Sequence, residues 1–291
     1  MLRMSFLEHL EELRTRLIRS VLGLAVAFIL SLTFSGPLWK IVSAPARAAL
    51  TQLGVVPPKL AQTGPMEVFS IVWMKMPLLT AIFLGSPWIL YQIWSFIAPG
   101  LYKKERRLAA PFILTSAGLF ILGGVFAYFV AFRFGLVFLL GIGRDPDVDV
   151  QTLITVTDYF DLFVNVMLGV SLVFELPVVI FFLTLLRIAS PRWLMSNARY
   201  AILGIVVLAA IITPTPDIFN MLLFAVPMVG LFFVGVLASY ILVLNREGQK
   251  FPWGKVLLSL LAVLLLAAGG IWLAITKYGY HLIQTWPFLT R

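Results

Sequence analysis

Long apolar runs separated by short polar stretches dominate the chain. Seven of them are centred on residues 17–37, 68–98, 108–134, 158–186, 199–213, 218–244 and 255–276. About 20 apolar residues cross a hydrocarbon core as a helix, so the pattern predicts an all-α polytopic membrane protein. The fifth run is short. From Tyr200 to Ile212 there are 13 residues, roughly 20 Å of helix, against a core about 30 Å thick. Either this helix starts earlier, near Trp193, or the membrane thins beside it. The last run, KVLLSLLAVLLLAAGGIWLAITKYG, follows Arg246, Lys250 and Lys255 and ends near Trp272 and Tyr278, residues suited to an interface. It predicts a seventh transmembrane helix, the alternative being a helix that is re-entrant or lies against the core. The predicted organisation is therefore an N-terminal amphipathic helix over 1–16, a six-helix core over 17–244, and an extension over 245–291.

Between the runs, periodicity changes. Residues 5–19 read SFLEHLEELRTRLIR. Ser5 and Glu8 have the spacing of a capping box, and Phe6, Leu10, Leu13 and Leu17 form a stripe at helical spacing. Glu8, Glu11 and Glu12 occupy the remaining arc, and Glu12 with Arg16 is a favourable i,i+4 pair. A short amphipathic helix that runs into the first span follows. It serves either as an interfacial anchor or as a cluster of three carboxylates able to receive a cationic partner. Residues 38–67 form a long connection with Pro45, Pro57, Pro58 and Pro65. After the acidic turn GRDPDVDV, the fourth run opens at TDYFD, where Asp158 can cap and Asp161 sits in the first turn. TPTPD (213–217) joins the fifth and sixth runs in a tight hairpin, with Asp217 placed to cap the sixth.

Charge gives an orientation. Of 22 Lys and Arg, fourteen fall on one side: Arg3, Arg14, Arg16, Arg19, Lys103, Lys104, Arg106, Arg107, Arg187, Arg192, Arg199, Arg246, Lys250 and Lys255. Seven fall on the other, over longer loops, and Lys75 lies within the second run. Inside loops collect basic residues, so the N-terminus is expected in the cytoplasm and the end of a seventh span outside. The net charge of +9 reads as topology, not as nucleic-acid binding. Glu8, Glu11 and Glu12 do not suit the basic n-region of a cleaved signal, and the apolar stretch from Leu17 to Ser35 is too long for an h-region, so the first run reads as a retained anchor. The hydrophobic share of 61% and mean hydropathy of +1.00 agree with a membrane class. With no cysteine, thiolate metal sites, iron–sulfur clusters and disulfides are excluded. His9 and His281 lie near opposite ends, too far apart in sequence to specify a metal site or a catalytic triad. No cofactor is expected.

One residue breaks the fourth run. GVSLVFELPVVIFFLTLL (169–186) carries Glu175. A carboxylate at bilayer depth costs at least about 2.5–3.5 kcal/mol and usually faces a protein interior or a wet cavity. Pro177 cannot donate to the carbonyl of Val173, which predicts a kink and a polar backbone group nearby. Glu175 is either satisfied by a neighbouring helix of its own chain or is a functional contact. Lys75 could pair with it or snorkel to an interface.

Five motifs then carry a resemblance: HLEELRTRL, SPWILYQIWSFIAPGLYKKERR, FAYF, FELPV and TPTPDIFNMLLFAVPM, in this order over about residues 5–240. In kind and spacing they resemble the TatC family, the multi-spanning core of the twin-arginine protein translocase. The resemblance implies a six-helix concave bundle, here with a seventh candidate span, in the prokaryotic inner membrane. It implies a receptor for signal peptides with paired arginines on folded precursors, which recruits TatA/TatB-type single-span subunits for export driven by the proton-motive force. Covalent chemistry and nucleic acid have no part in it, and several copies are expected within the complex. Onto this chain it carries Glu12, Arg14, Phe96 and Glu105 as signal-binding positions, with Arg14 orienting the carboxylates. It carries Glu175 and Asp217 as contacts with partner helices in the membrane. An arginine fork suits a carboxylate acceptor, and two arginines need two. The chain departs from the family at Met221, where many relatives have Gln, and in its seventh run.

Two other classes were weighed. A proton- or solute-coupled secondary transporter would use Glu175 and Lys75 as a relay, but neither an internal repeat nor paired broken helices are visible. An intramembrane protease lacks a GxSG stretch and a well-placed histidine. The seventh span is tested by a reporter enzyme that works only in the cytoplasm, fused after Arg291. It is expected to be inactive there, and an active fusion would remove the span.

Overall fold

The computed structural model describes residues 6–97, 109–142, 153–213, 217–249, 281–282 and 289–290. Its helices, in chain order, are α1 (Phe6–Leu32), α2 (Ser35–Val42), α3 (Ala44–Gln52), α4 (Glu67–Ile97), α5 (109–142), α6 (Val156–Val173), α7 (Leu176–Leu185), α8 (Pro191–Ser196), α9 (Ala198–Ile212) and α10 (Ile218–Arg246). α4 contains one π turn, Ile71–Lys75, and α5 another, Ala127–Ala131. Helices α1, α4, α5, joined α6–α7 and α10 have the length and hydropathy of membrane spans, and α9 is apolar but shorter, at 15 residues. The all-helical polytopic fold expected from the pattern is therefore present. The chain forms two compact units, Met1–Ser239 and Tyr240–Arg291. In the second, the described residues are the end of α10 and two short antiparallel strands, β1 (His281–Leu282) and β2 (Leu289–Thr290). The seventh candidate span at 255–276, Ser5, Glu105 and the turn GRDPDVDV lie outside the described residues.

Several boundaries differ from the sequence reading, each for a local reason. The amphipathic segment and the first span are one continuous helix from Phe6. The long connection after it is not irregular: Ser35–Val42 and Ala44–Gln52 are helical, with Pro45 in the first turn of α3, where its missing N–H costs nothing. Their corner is tied down by tyrosines. Tyr128 on α5 donates to the carbonyl of Ile41 at 2.9 Å, and buried Tyr159 on α6 donates to that of Val42. The cap of α6 is Thr155 and not Asp158. Its Oγ1 accepts from the Asp158 N–H at 3.0 Å, while the same hydroxyl donates to Asp158 Oδ2. Near Trp193 the chain forms the separate turn α8, capped by Ser190, whose hydroxyl accepts from the Trp193 N–H. Asn197 then divides α8 from α9, so the short fifth run stays short.

The core sits between α5 and α6. Phe132, Tyr159, Phe160 and Phe163 are all at most 2% exposed, and Phe132 meets Phe163 edge-on at 5.1 Å. Lipid offers no hydrophobic drive between helices, so close packing and polar ties hold a membrane bundle together. The fourth run shows how close that packing is. It breaks after Val173 and restarts at Leu176, with Pro177 in the first turn of α7. Two glycines from other helices press against this break. A Cβ on Gly123 of α5 would lie 2.7 Å from Ser171 Cα and 2.9 Å from Phe174 Cβ. A Cβ on Gly235 of α10 would lie 2.7 Å from Pro177 Cα.

At the other end of α6, Glu67 opens α4 and gathers an outer clasp. Its Oε2 accepts from Thr63 N at 2.6 Å and Thr63 Oγ1 at 3.0 Å. Its Oε1 accepts from Thr157 N and Thr157 Oγ1, both at 2.8 Å. Beside it, Ala61 pairs with the entry to α6: its N–H donates to Ile154 O at 2.8 Å, and the Val156 N–H donates to Ala61 O at 2.9 Å. These bonds tie the loop to the head of α6.

Crowding at the break yields a prediction. Gly123→Leu forces a side chain into backbone and should cost about 1–3 kcal/mol, read as a lowered unfolding midpoint in detergent. Gly118→Leu on the same helix, where an added Cβ meets nothing within 4 Å, should leave the midpoint unchanged. Equal losses in the two variants would contradict the packing described.

Candidate functional site

Two acidic positions stand apart from the clasp. The first lies along the seam where α1 runs antiparallel to α4. Three contacts follow each other along it. The His9 ring stacks on Phe96, with centroids 4.4 Å apart and planes at 16°. Arg16 Nη1 donates to Gln92 Oε1 at 3.3 Å. Trp88 Nε1 donates to the carbonyl of Arg19 at 2.9 Å. Helical periodicity places these residues on one face of each helix, three to seven apart.

The seam inverts the arrangement usual in water. Leu10, Leu13 and Leu17, the apolar stripe of the sequence, are 44%, 44% and 63% exposed, as suits side chains that meet lipid. Glu12 and Arg16 turn toward α4, and their side chains are only 17% and 22% exposed. Arg16 Nη2 meets Glu12 Oε1 at 3.4 Å, the i,i+4 pair expected from spacing. The other carboxylate oxygen, Glu12 Oε2, is buried and has no hydrogen-bond partner among the described residues. A shallow hollow of about 370 Å³ opens here, lined by Glu8, Glu11, Glu12, Thr15, Arg16 and Arg19.

The second position is Glu175, at the break between α6 and α7 and 8% exposed. Ser116 Oγ of α5 donates to its Oε2 at 2.6 Å. Its Oε1 is buried without a partner among the described residues, and so is Ser171 Oγ one turn earlier. A carboxyl group has room for several donors, and this one receives a single bond. Lys75 does not reach it. Its Nζ pairs with Asp161 at 3.1 Å, half exposed, and so links α4 to α6. The Lys75–Glu175 pairing weighed from sequence is thereby corrected: the two residues sit on different turns of the bundle, and Asp161, read only as a first-turn acid, is the nearer anion.

The comparisons with known proteins decide the family. The profile described as Sec-independent protein translocase protein (TatC) matches residues 8–227. The chain belongs to the TatC family. It is 41% identical to the TatC protein of Koribacter versatilis over 82% of this chain and 86% of that one. It is 35% identical to TatCy of Bacillus subtilis over 85% and 92%. A crystal structure of a twin arginine translocase receptor TatC superposes with a TM-score of 0.66 at 31% identity, over 80% of this chain and 99% of that one. The chain is thus a multi-pass TatC receptor subunit of the twin-arginine translocase, a transport component and not an enzyme.

Of the site residues read from sequence, the structure brings Glu12 and Phe96 to one seam. Glu105 lies outside the described residues. Arg14 is exposed and has no hydrogen bond or ion pair among the described residues; the cation that touches Glu12 is Arg16, one turn along the buried face. Asp217 precedes α10, where its Oδ1 and Oδ2 accept from Asn220 N and Nδ2, each at 2.8 Å, the capping role of an N-terminal acid. Sequence reasoning passed over His9, Gln92, Trp88 and Ser116. Two of them had a signal: Gln92 and Ser116 are polar residues inside apolar runs, where each needs a polar partner.

Proposed function

We propose that this TatC subunit receives paired-arginine signal peptides of folded precursors at the cytoplasmic membrane boundary and gathers TatA/TatB-type single-span subunits in the bilayer, for export driven by the proton-motive force. The orientation rests on the fourteen basic residues of one side, which puts the start of α1 in the cytoplasm. The observation that carries the reading is Glu12: a half-buried carboxylate with one oxygen that has no partner among the described residues, beside a hollow lined also by Glu8, Glu11, Arg16 and Arg19. A guanidinium presents two parallel donors to such a group. One carboxylate serves one arginine, and Glu105 is the acceptor for the second. Phe96, stacked with His9, supplies apolar surface next to the charge. The family resemblance gives Arg14, exposed on the same helix as Glu12, the role of orienting the acids. In the water-exposed part of the site each ion pair is worth below about 1 kcal/mol, so the signal's apolar segment must dock on the helices as well.

Glu175 serves a different partner. Its unmet oxygen suits a hydroxyl, amide or protonated group on a neighbouring subunit's helix. Asp217 marks the opposite hairpin as a further point of packing for such helices. Several copies of the chain work together in the complex.

The division of labour is testable in membranes. Photocrosslinkers at positions 12 and 105 should capture a precursor with its arginine pair intact and lose about tenfold when both arginines become lysines, the scale of a charge-assisted bond. Glu175→Ala should keep that capture and reduce co-purification of the small subunits. Equal capture of both precursors would remove the receptor site. Loss of capture in Glu175→Ala would merge the two sites into one.

A further inference from the structure

We propose that Arg16 is an internal occupant of the signal site, a guanidinium of the chain itself that holds Glu12 until an incoming arginine displaces it toward Gln92. The inference rests on the reading above that Glu12 receives a signal arginine, and adds what an incoming cation must displace there.

Arg16 divides its fork between two acceptors. Nη2 reaches Glu12 Oε1 at 3.4 Å and Nη1 reaches Gln92 Oε1 at 3.3 Å. Both distances lie beyond the usual range for N–H···O bonds, and neither acceptor is held in bidentate fashion. Each contact is therefore a loose one. Glu12 Oε2 is buried and has no partner among the described residues, so within them the carboxylate is engaged at one oxygen only. A second guanidinium can start on Oε2 and complete its fork only if Arg16 leaves Oε1. Gln92 gives the departing group somewhere to stay. Its side chain is 1% exposed, fixed by packing, and carries no charge that would pull Arg16 away beforehand. Glu8, Glu11 and Glu12 outnumber Arg16 and Arg19 in the wall of the hollow, which leaves a net attraction for a cation while the exchange occurs.

This arrangement makes recognition a competition between like groups. An incoming arginine replaces the single contact of Arg16 by two parallel bonds and gains. A lysine ammonium is a point donor; it replaces one contact by another and gains little. The displaced contact then sets a threshold that a fork clears and a point donor barely reaches. Arg16 is in this view an internal competitor that sets this threshold, and Gln92 a positioning residue that acts through it.

The test uses the full chain in lipid nanodiscs and fluorescent synthetic signal peptides with an arginine pair or a lysine pair, read by anisotropy. Arg16→Gln should tighten binding of the arginine peptide by up to about fivefold, the worth of a partly exposed ion pair. It should tighten the lysine peptide by a similar factor, since both displace the same group, and so bring the lysine peptide into measurable range. In a Glu12→Gln background the same change should do nothing. Where Arg16→Gln is not monodisperse, Arg16→Lys, which keeps the cation but not the fork, should move both affinities in the same direction by less. Weaker or unchanged binding in the Arg16 variants, with Glu12→Gln still abolishing it, would overturn the proposal alone and leave Arg16 as a brace. Unaltered binding in Glu12→Gln would overturn the site reading and this proposal together.

Discussion

A carboxyl oxygen buried among apolar side chains has no water to turn to, so its donors must come from protein. Glu12 and Glu175 face that demand, whereas Glu67 and Asp217 are half-exposed and have both oxygens met within the chain. Glu67 accepts from Thr63 and Thr157 with both oxygens. Both oxygens of Asp217 accept from Asn220. These two are complete, and what they do is architectural: one binds the outer loop to the head of α6, the other starts α10. Glu12 and Glu175 are each met at one oxygen and, among the described residues, have no partner at the other, which is buried. This contrast between satisfied and half-satisfied acids is what the proposed function rests on.

The frame explains why the half-satisfied groups stay where they are. Glu175 sits at a helix break that Gly123 and Gly235 pin from two sides, so the carboxyl group has little freedom to find a second donor within its own chain. Glu12 is held by a seam whose other ties, His9 with Phe96 and Trp88 with the Arg19 carbonyl, lie on both sides of it. On the proposed reading the consequence is economy of motion: the groups offered to a partner are fixed beforehand, and only side chains such as Arg16 rearrange.

Much of this was legible in the sequence, because hydropathy and helical period act locally. The spans, the Glu12–Arg16 spacing and the break before Pro177 all follow from residues close together in the chain. What escaped depends on partners far apart in it. Lys75 finds Asp161 across 86 positions, Arg16 finds Gln92 across 76, and Glu175 finds Ser116 across 59; no periodicity encodes such meetings. Helices inside the long connection of 38–67 also escaped, because Pro45 is as suited to the first turn of a helix as to a loop. The cap of α6 was missed by three residues because Thr155 and Asp158 are both good caps, and the reciprocal pair uses the threonine as the cap and the aspartate as its answer.

The central claim is that the open oxygen of Glu12 is completed by an arginine from another polypeptide. A cryo-electron microscopy structure of the full chain in nanodiscs with a bound twin-arginine peptide tests it most directly. The account predicts a peptide guanidinium within hydrogen-bond distance of Glu12 Oε2, with Arg16 withdrawn to Gln92. A map in which the Glu12–Arg16 pair is intact and the peptide arginines lie elsewhere would contradict it.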